Sequence, residues 1–91
     1  MRAMPNLSRL PTPDIVTVYG TDWCADCRRT RRYLDATVTP YHWVDVAADS
    51  SVRGMLDAAG YRAMPVVALP TGQVLVEPSD DELANVIGTA A

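Results

Sequence analysis

Two cysteines three positions apart, Cys24 and Cys27, are the residues of this 91-residue chain whose type and spacing can do covalent chemistry. A strand-like run precedes them and a helical pattern starts at Cys24, the setting in which Cys-x-x-Cys means thiol redox chemistry. At a helix N-terminus the Cys24 sulfur faces unpaired backbone N–H groups and the positive end of the helix dipole, both of which favour a thiolate. Cys27 lies one turn further in, on the face predicted to be buried, so Cys24 is the expected attacking thiol and Cys27 the resolving one. The benefit to be expected lies less in attack than in resolution: Cys24 becomes a better leaving group, and Cys27 competes for it intramolecularly at high effective concentration. The carboxylate of Asp26, between the cysteines, opposes the helix end and Arg28, and the sequence leaves the net sign of the three open.

The elements that must hold this pair are legible around it. Ile15 to Tyr19 is a β-branched run suited to a buried strand, broken by Gly20, Thr21 and Asp22. From Cys24 to Ala36, steps of about 100° put Cys27, Thr30 and Leu34 on one face and Arg28, Arg31 and Arg32 opposite. Tyr41 to Val46 alternates as a second strand. Asp49, Ser50 and Ser51 offer N-caps to a helix carrying Val52, Met55, Leu56 and Ala59, which Gly60 stops. Val66 to Leu69 and Val74 to Glu77 flank the turn Pro70-Thr71-Gly72-Gln73 as a hairpin. Ser79-Asp80-Asp81-Glu82 has the capping-box pattern and opens a last helix with Leu83, Val86 and Ile87 inward. The order predicted is β-α-β-α-β-β-α, an α/β fold with a four-stranded mixed sheet flanked by three helices.

Composition sets the remaining bounds. A chain of this length supports one core, expected over residues 14–91, with 1–13 as a flexible N-terminal tail containing Pro5, Pro11 and Pro13. That segment has no apolar run of the secretory type, and no stretch is long enough to span a membrane, so a cytoplasmic monomer is expected. Eight arginines, no lysine and eleven acids give a net charge of −3, which does not favour a nucleic-acid partner. Arg28, Arg29, Arg31 and Arg32 are expected to form a solvated helix face, with Arg28 close enough to the dithiol to attract an anionic substrate. In a reducing compartment a structural disulfide is the poorer assumption. Zinc takes four ligands, and the lone His42, expected to be a partly exposed strand residue, does not complete a site with two cysteines. A metal reading therefore needs Cys24 from two chains and exogenous thiols, as in an iron-sulfur carrier, and this is the alternative to redox catalysis.

Thr17-Val18-Tyr19-Gly20 ahead of Trp23-Cys24-Ala25-Asp26-Cys27, together with Ala63-Met64-Pro65-Val66-Val67, resembles the first strand, active-site turn and cis-proline segment of the glutaredoxin family. The resemblance runs from Ile15 to Ile87 and implies a thioredoxin-like fold, a dithiol reductase without an organic cofactor, and a cis Met64-Pro65 peptide against the cysteines. It implies that Met64 and Pro65 shape a groove in which an extended substrate pairs with the backbone. Trp23-Cys24 and Glu77-Pro78-Ser79-Asp80 are similar to the mycoredoxins, which reduce mixed disulfides with mycothiol; Trp23, Ser79 and Asp80 are accordingly expected at the substrate, with Arg28 beside them by its charge. Gly60-Tyr61-Arg62-Ala63-Met64-Pro65 is similar instead to the redoxins that serve ribonucleotide reductase and are recharged by thioredoxin reductase. Met64 and the lack of Gly-Gly-x-Asp after the fourth strand depart from the glutathione-dependent branch. The absence of Lys and Phe is similar to the coding bias of GC-rich actinobacteria, which points to mycothiol. The expected partners are disulfide-containing proteins or mycothiol mixed disulfides, with mycothiol or thioredoxin reductase as the electron source.

Overall fold

The computed structural model describes residues 10–87, so residues 1–9 of the expected tail lie outside the described part. The elements are β1 (Val16–Gly20), α1 (Ala25–Ala36), β2 (Tyr41–Asp45), α2 (Ser50–Ala58), β3 (Val66–Ala68), β4 (Val74–Val76) and α3 (Asp80–Val86), in the predicted order. The sheet order is β2-β1-β3-β4. β1 runs parallel to β2, with Val18 opposite Trp43 and Gly20 opposite Asp45, and antiparallel to β3, with Val18 opposite Val67. β4 completes the sheet antiparallel to β3.

All five residues of β1 are buried, because the strand is interior to the sheet and both its faces are covered. On one face Val16 and Val18 join Leu34 of α1, Val67, Leu69 and Leu83 of α3. On the other, Tyr19 joins Val46, Leu56 of α2, Val66 and Ala68, with Leu10 packed against the group. Helices thus lie on both sides, α1 and α3 together and α2 alone. Leu34, Leu56 and Leu83 are fully buried, each worth about 1.5–3 kcal/mol of transfer free energy, and they pin one helix apiece.

Several boundaries differ from the sequence reading for local reasons. β1 starts at Val16 and includes Gly20, while Ile15 stays exposed. β2 ends at Asp45, whose carboxylate accepts the Ala47 N–H at 3.0 Å and turns Val46–Ala48 into a single 3₁₀ turn. β4 stops before Glu77, which adopts φ +49° and donates its N–H to the Pro65 carbonyl at 2.8 Å. The capping box of α3 is formed in both directions: the Glu82 N–H donates to the Ser79 hydroxyl, and the Ser79 N–H to the Glu82 carboxylate.

α1 and α2 end with the same hydrogen-bond pattern on different residues. After α2, the Gly60 N–H donates to the Asp57 carbonyl and the Tyr61 N–H to that of Leu56, with Gly60 at φ +88°. After α1, Val38 and Thr39 donate likewise to Asp35 and Leu34, but the left-handed position falls on Val38, at φ +55°. A β-branched residue there carries a penalty of about 1–2 kcal/mol, and Val38, 86% exposed, gains little packing in return. Allowing for the greater chain entropy of glycine, Val38→Gly is expected to stabilise the protein by about 0.5–1 kcal/mol. A urea midpoint that does not rise would show that the turn carries no such strain.

Candidate active site

Cys24 is the N-cap of α1, with extended backbone (φ −83°, ψ 119°). Its sulfur accepts the Cys27 N–H at 3.2 Å, so one of the orphan donors of the helix start points at the sulfur. Its carbonyl accepts the Arg28 N–H at 3.1 Å and already belongs to the helix. This half-in position leaves Cys24 partly exposed, whereas Cys27, one turn on, has no exposed surface. Burial pushes the Cys27 thiol up to about 12. Desolvation is the main cause, followed by the hydrogen bond to Cys24, and the nearby charges of Cys24 and Asp26 add to it against a lowering hydrogen bond from the Thr21 backbone.

Facing the cysteines is the start of β3. The Met64-Pro65 peptide is cis, and the Met64 carbonyl lies 3.9 Å from the Cys24 sulfur, within reach of a weak S–H···O contact. Pro65 is fully buried, and the bond from the Glu77 N–H to its carbonyl ties the end of β4 to the same corner. Cys24, Cys27, Met64 and Pro65 therefore converge, although 40 residues separate Cys24 from Met64.

The other candidate residues lie around this centre. Trp23 is 73% exposed and stands beside Cys24 in the chain. Arg28 is exposed and donates to the Asp22 carbonyl at 2.9 Å, which fixes its guanidinium beside the turn that precedes the cysteines. Ser79 and Asp80 line a shallow groove of about 430 Å³ together with Arg29, Glu77, Asp81 and Glu82. His42 is exposed on β2. Among the described residues no three His, Cys, Asp or Glu side chains come together as a metal site.

The arginine face is not simply solvated. Arg29 donates to Asp80 at 2.7 Å and to the Pro78 carbonyl at 2.8 Å, and lies 3.7 Å from Asp26. It clamps α1 to the start of α3 and joins the carboxylate between the cysteines to the groove. Arg31 stacks over Trp43 at 4.1 Å, donates to the Tyr41 hydroxyl and pairs with Asp22. No local pattern could find the clamp from Arg29 to Asp80, since the two are 51 residues apart. Gly20 was legible only as a strand breaker, yet it lies buried inside β1 beside Cys27.

Known proteins share both the sequence pattern and the fold. The Glutaredoxin family model matches residues 16–74. Two proteins of Mycobacterium tuberculosis that carry the name glutaredoxin, one from each of two strains, are 31% identical over 70 residues, covering 75% of this chain and 83% of theirs. Among solved structures, the glutaredoxin-like NrdH-redoxin of Escherichia coli superposes with a TM-score of 0.72 at 22% identity, over 79% of this chain and 92% of that one. A thioredoxin-like protein reaches 0.74 at 21%, over 84% and 97%. At such identity the two structures speak for the fold, which is thioredoxin-like.

The state of Cys27 has a consequence for stability. Its thiol titrates near the ordinary 9.0 when unfolded and near 12 when folded, so between these values the unfolded chain holds fewer protons. The stabilising contribution is whole below the lower value and is lost as pH rises toward the upper one. The urea midpoint of the reduced protein is expected to fall through that window more steeply than that of Cys27→Ala, and parallel curves would mean that the thiol is not held neutral by burial.

Proposed function

Since the chain belongs to the glutaredoxin family and is a thiol-disulfide oxidoreductase, we propose that Cys24 and Cys27 carry its reaction, on disulfides presented in the groove beside Met64 and Pro65. The observation that carries this reading is the Cys24 sulfur itself. It is partly exposed, receives the Cys27 N–H at 3.2 Å, and lies 3.9 Å from the Met64 carbonyl.

The Cys24 thiolate attacks one sulfur of the substrate disulfide, forming a mixed disulfide and expelling the other sulfur as a thiolate. The Cys27 N–H is placed to hold negative charge on the Cys24 sulfur before attack and again as that sulfur leaves. Cys27 then loses its proton and attacks the Cys24 sulfur. The internal disulfide forms, and the departing substrate thiolate takes up a proton. A thiol held neutral by burial does not compete for the incoming substrate, which separates the two roles. Trp23 offers an exposed apolar platform beside Cys24, and Arg28 a fixed cation, to the parts of the substrate flanking the disulfide.

The low-molecular-weight thiol we assign is mycothiol, an uncharged sugar-linked thiol, rather than glutathione with its carboxylates. In the groove of Ser79 and Asp80 the chain's own groups take up several of the donors that could hold a carboxylate: the Ser79 N–H is bound by Glu82, the Glu82 N–H by Ser79, and Arg29 by Asp80 and Pro78. Glu77, Asp80, Asp81 and Glu82 also make this rim acidic. The working compartment is the cytoplasm, where thiols are kept reduced; among the described residues no helix is long and apolar enough to cross a membrane.

Turnover of a mixed-disulfide substrate in NADPH-coupled mycothiol, glutathione and thioredoxin-reductase systems tests the assignment. The mycothiol system is expected to exceed glutathione by at least about tenfold, and equal rates would remove the charge argument. Cys24→Ser is expected to abolish reduction, while Cys27→Ser accumulates an adduct on Cys24. An adduct on Cys27 in the Cys24→Ser protein, with activity retained, would reverse the roles.

A further inference from the structure

We propose that Gly20 and Trp43 are positioning residues for the resolving step: the missing side chain of Gly20 is the space that the Cys27 sulfur occupies, and the indole of Trp43 closes that space. The inference rests on the dithiol reading and extends it to two residues of the sheet.

Gly20 is the last residue of β1 and is buried. Conformation does not demand a glycine there, since the glycines at positive φ are Gly60 and Gly72. Space does. A methyl group at position 20 would stand 2.5 Å from the Cys27 sulfur, 3.2 Å from the Cys27 Cβ and 3.0 Å from the Cη2 of Trp43. The first of these is far inside van der Waals contact, and the Cβ belongs to a helix that cannot simply back away. The sulfur and the indole edge thus crowd one point beside the Gly20 Cα. Trp43 is itself held: the Arg31 guanidinium lies 4.1 Å above its ring, and Arg31 is fixed by Asp22 and the Tyr41 hydroxyl.

The resolving attack needs this order. Cys27 must break the bond between the Cys24 sulfur and the substrate sulfur while forming its own bond to Cys24; one proton leaves Cys27 and one reaches the departing thiolate. Both reacting sulfurs belong to the protein, so the effective concentration depends on how narrowly the Cys27 thiol is confined. Accommodating a methyl at position 20 rotates that thiol to another staggered position and changes its approach to Cys24. The first attack, by Cys24 on the outer side of the helix start, makes no use of this space.

The two steps separate in the reaction of the reduced full-length protein with the aromatic disulfide 5,5′-dithiobis(2-nitrobenzoate). Attack by Cys24 releases the first coloured thiolate and resolution by Cys27 the second. Gly20→Ala is expected to leave the first phase within about twofold and to slow the second roughly 10- to 100-fold, as for a reacting group displaced by about 1 Å. A second phase at the wild-type rate in folded Gly20→Ala would overturn the inference, whereas loss of the first phase from the wild-type protein would overturn the dithiol reading beneath it. Should Gly20→Ala not fold, Trp23→Phe leaves Trp43 as the sole indole in the chain. Its emission is expected to drop on conversion of the dithiol to the disulfide and not to respond to the same oxidant in Trp23→Phe/Cys27→Ser. Identical emission from the dithiol and disulfide forms would show that Trp43 does not line the Cys27 space.

Discussion

Cys24 is neither inside α1 nor outside it, and the rest of the site depends on this. As N-cap it has extended backbone, its carbonyl enters the helical hydrogen-bond ladder, and its sulfur receives the N–H of Cys27. That single bond does what a serine or aspartate does at other helix starts, with a sulfur in place of an oxygen. It also dictates the asymmetry of the pair. The residue one turn into the helix falls on the face packed against the sheet, so Cys27 is enclosed and neutral while Cys24 meets the solvent. A start one residue earlier would rotate both sulfurs by about 100° and undo the distinction.

The helix end is fixed from two directions. Below it, the covered strand β1 receives the buried face of α1, and Gly20 at the end of that strand lets the Cys27 sulfur approach the backbone. Across from it, the Met64-Pro65 peptide brings a backbone carbonyl to Cys24, while the Glu77 N–H anchors the Pro65 carbonyl. The sheet order β2-β1-β3-β4 makes this meeting unavoidable, because β3 lies beside β1 and runs against it. The end of β1 and the beginning of β3 therefore lie at the same edge of the sheet.

Electrostatics around the site is organised by pairing more than by net charge. Of the four arginines on α1, Arg29 is spent on Asp80, Asp26 and a carbonyl, and Arg31 on Trp43, Tyr41 and Asp22. These contacts are partly exposed, and each ion pair is worth at most about 1 kcal/mol. Their effect is on geometry: Arg29 sets the distance between the dithiol helix and α3, and Arg31 braces the indole behind Cys27. On either side of the cysteine pair stand the pinned guanidinium of Arg28 and a carboxylate-rich rim.

From the sequence alone came the element order, the exposed and buried members of the Cys24–Cys27 pair and the capping box of α3, because each is written in contacts between residues a few positions apart. Periodicity named the buried face of α1 correctly, and the β-branched run before Gly20 correctly announced a covered strand. Chain resemblance added the cis-proline segment, which spacing could not have supplied. Tertiary structure decided what depends on residues far apart: the clamp from Arg29 to Asp80, the stacking of Arg31 on Trp43, and the fit of the Cys27 sulfur against Gly20. It also decided where local rules yield, as at Val38, where packing Leu34 inward and turning toward β2 leaves the left-handed position to a valine. A glycine at the end of a strand reads locally as a break; only the helix folded over it reveals that the space was needed by a sulfur.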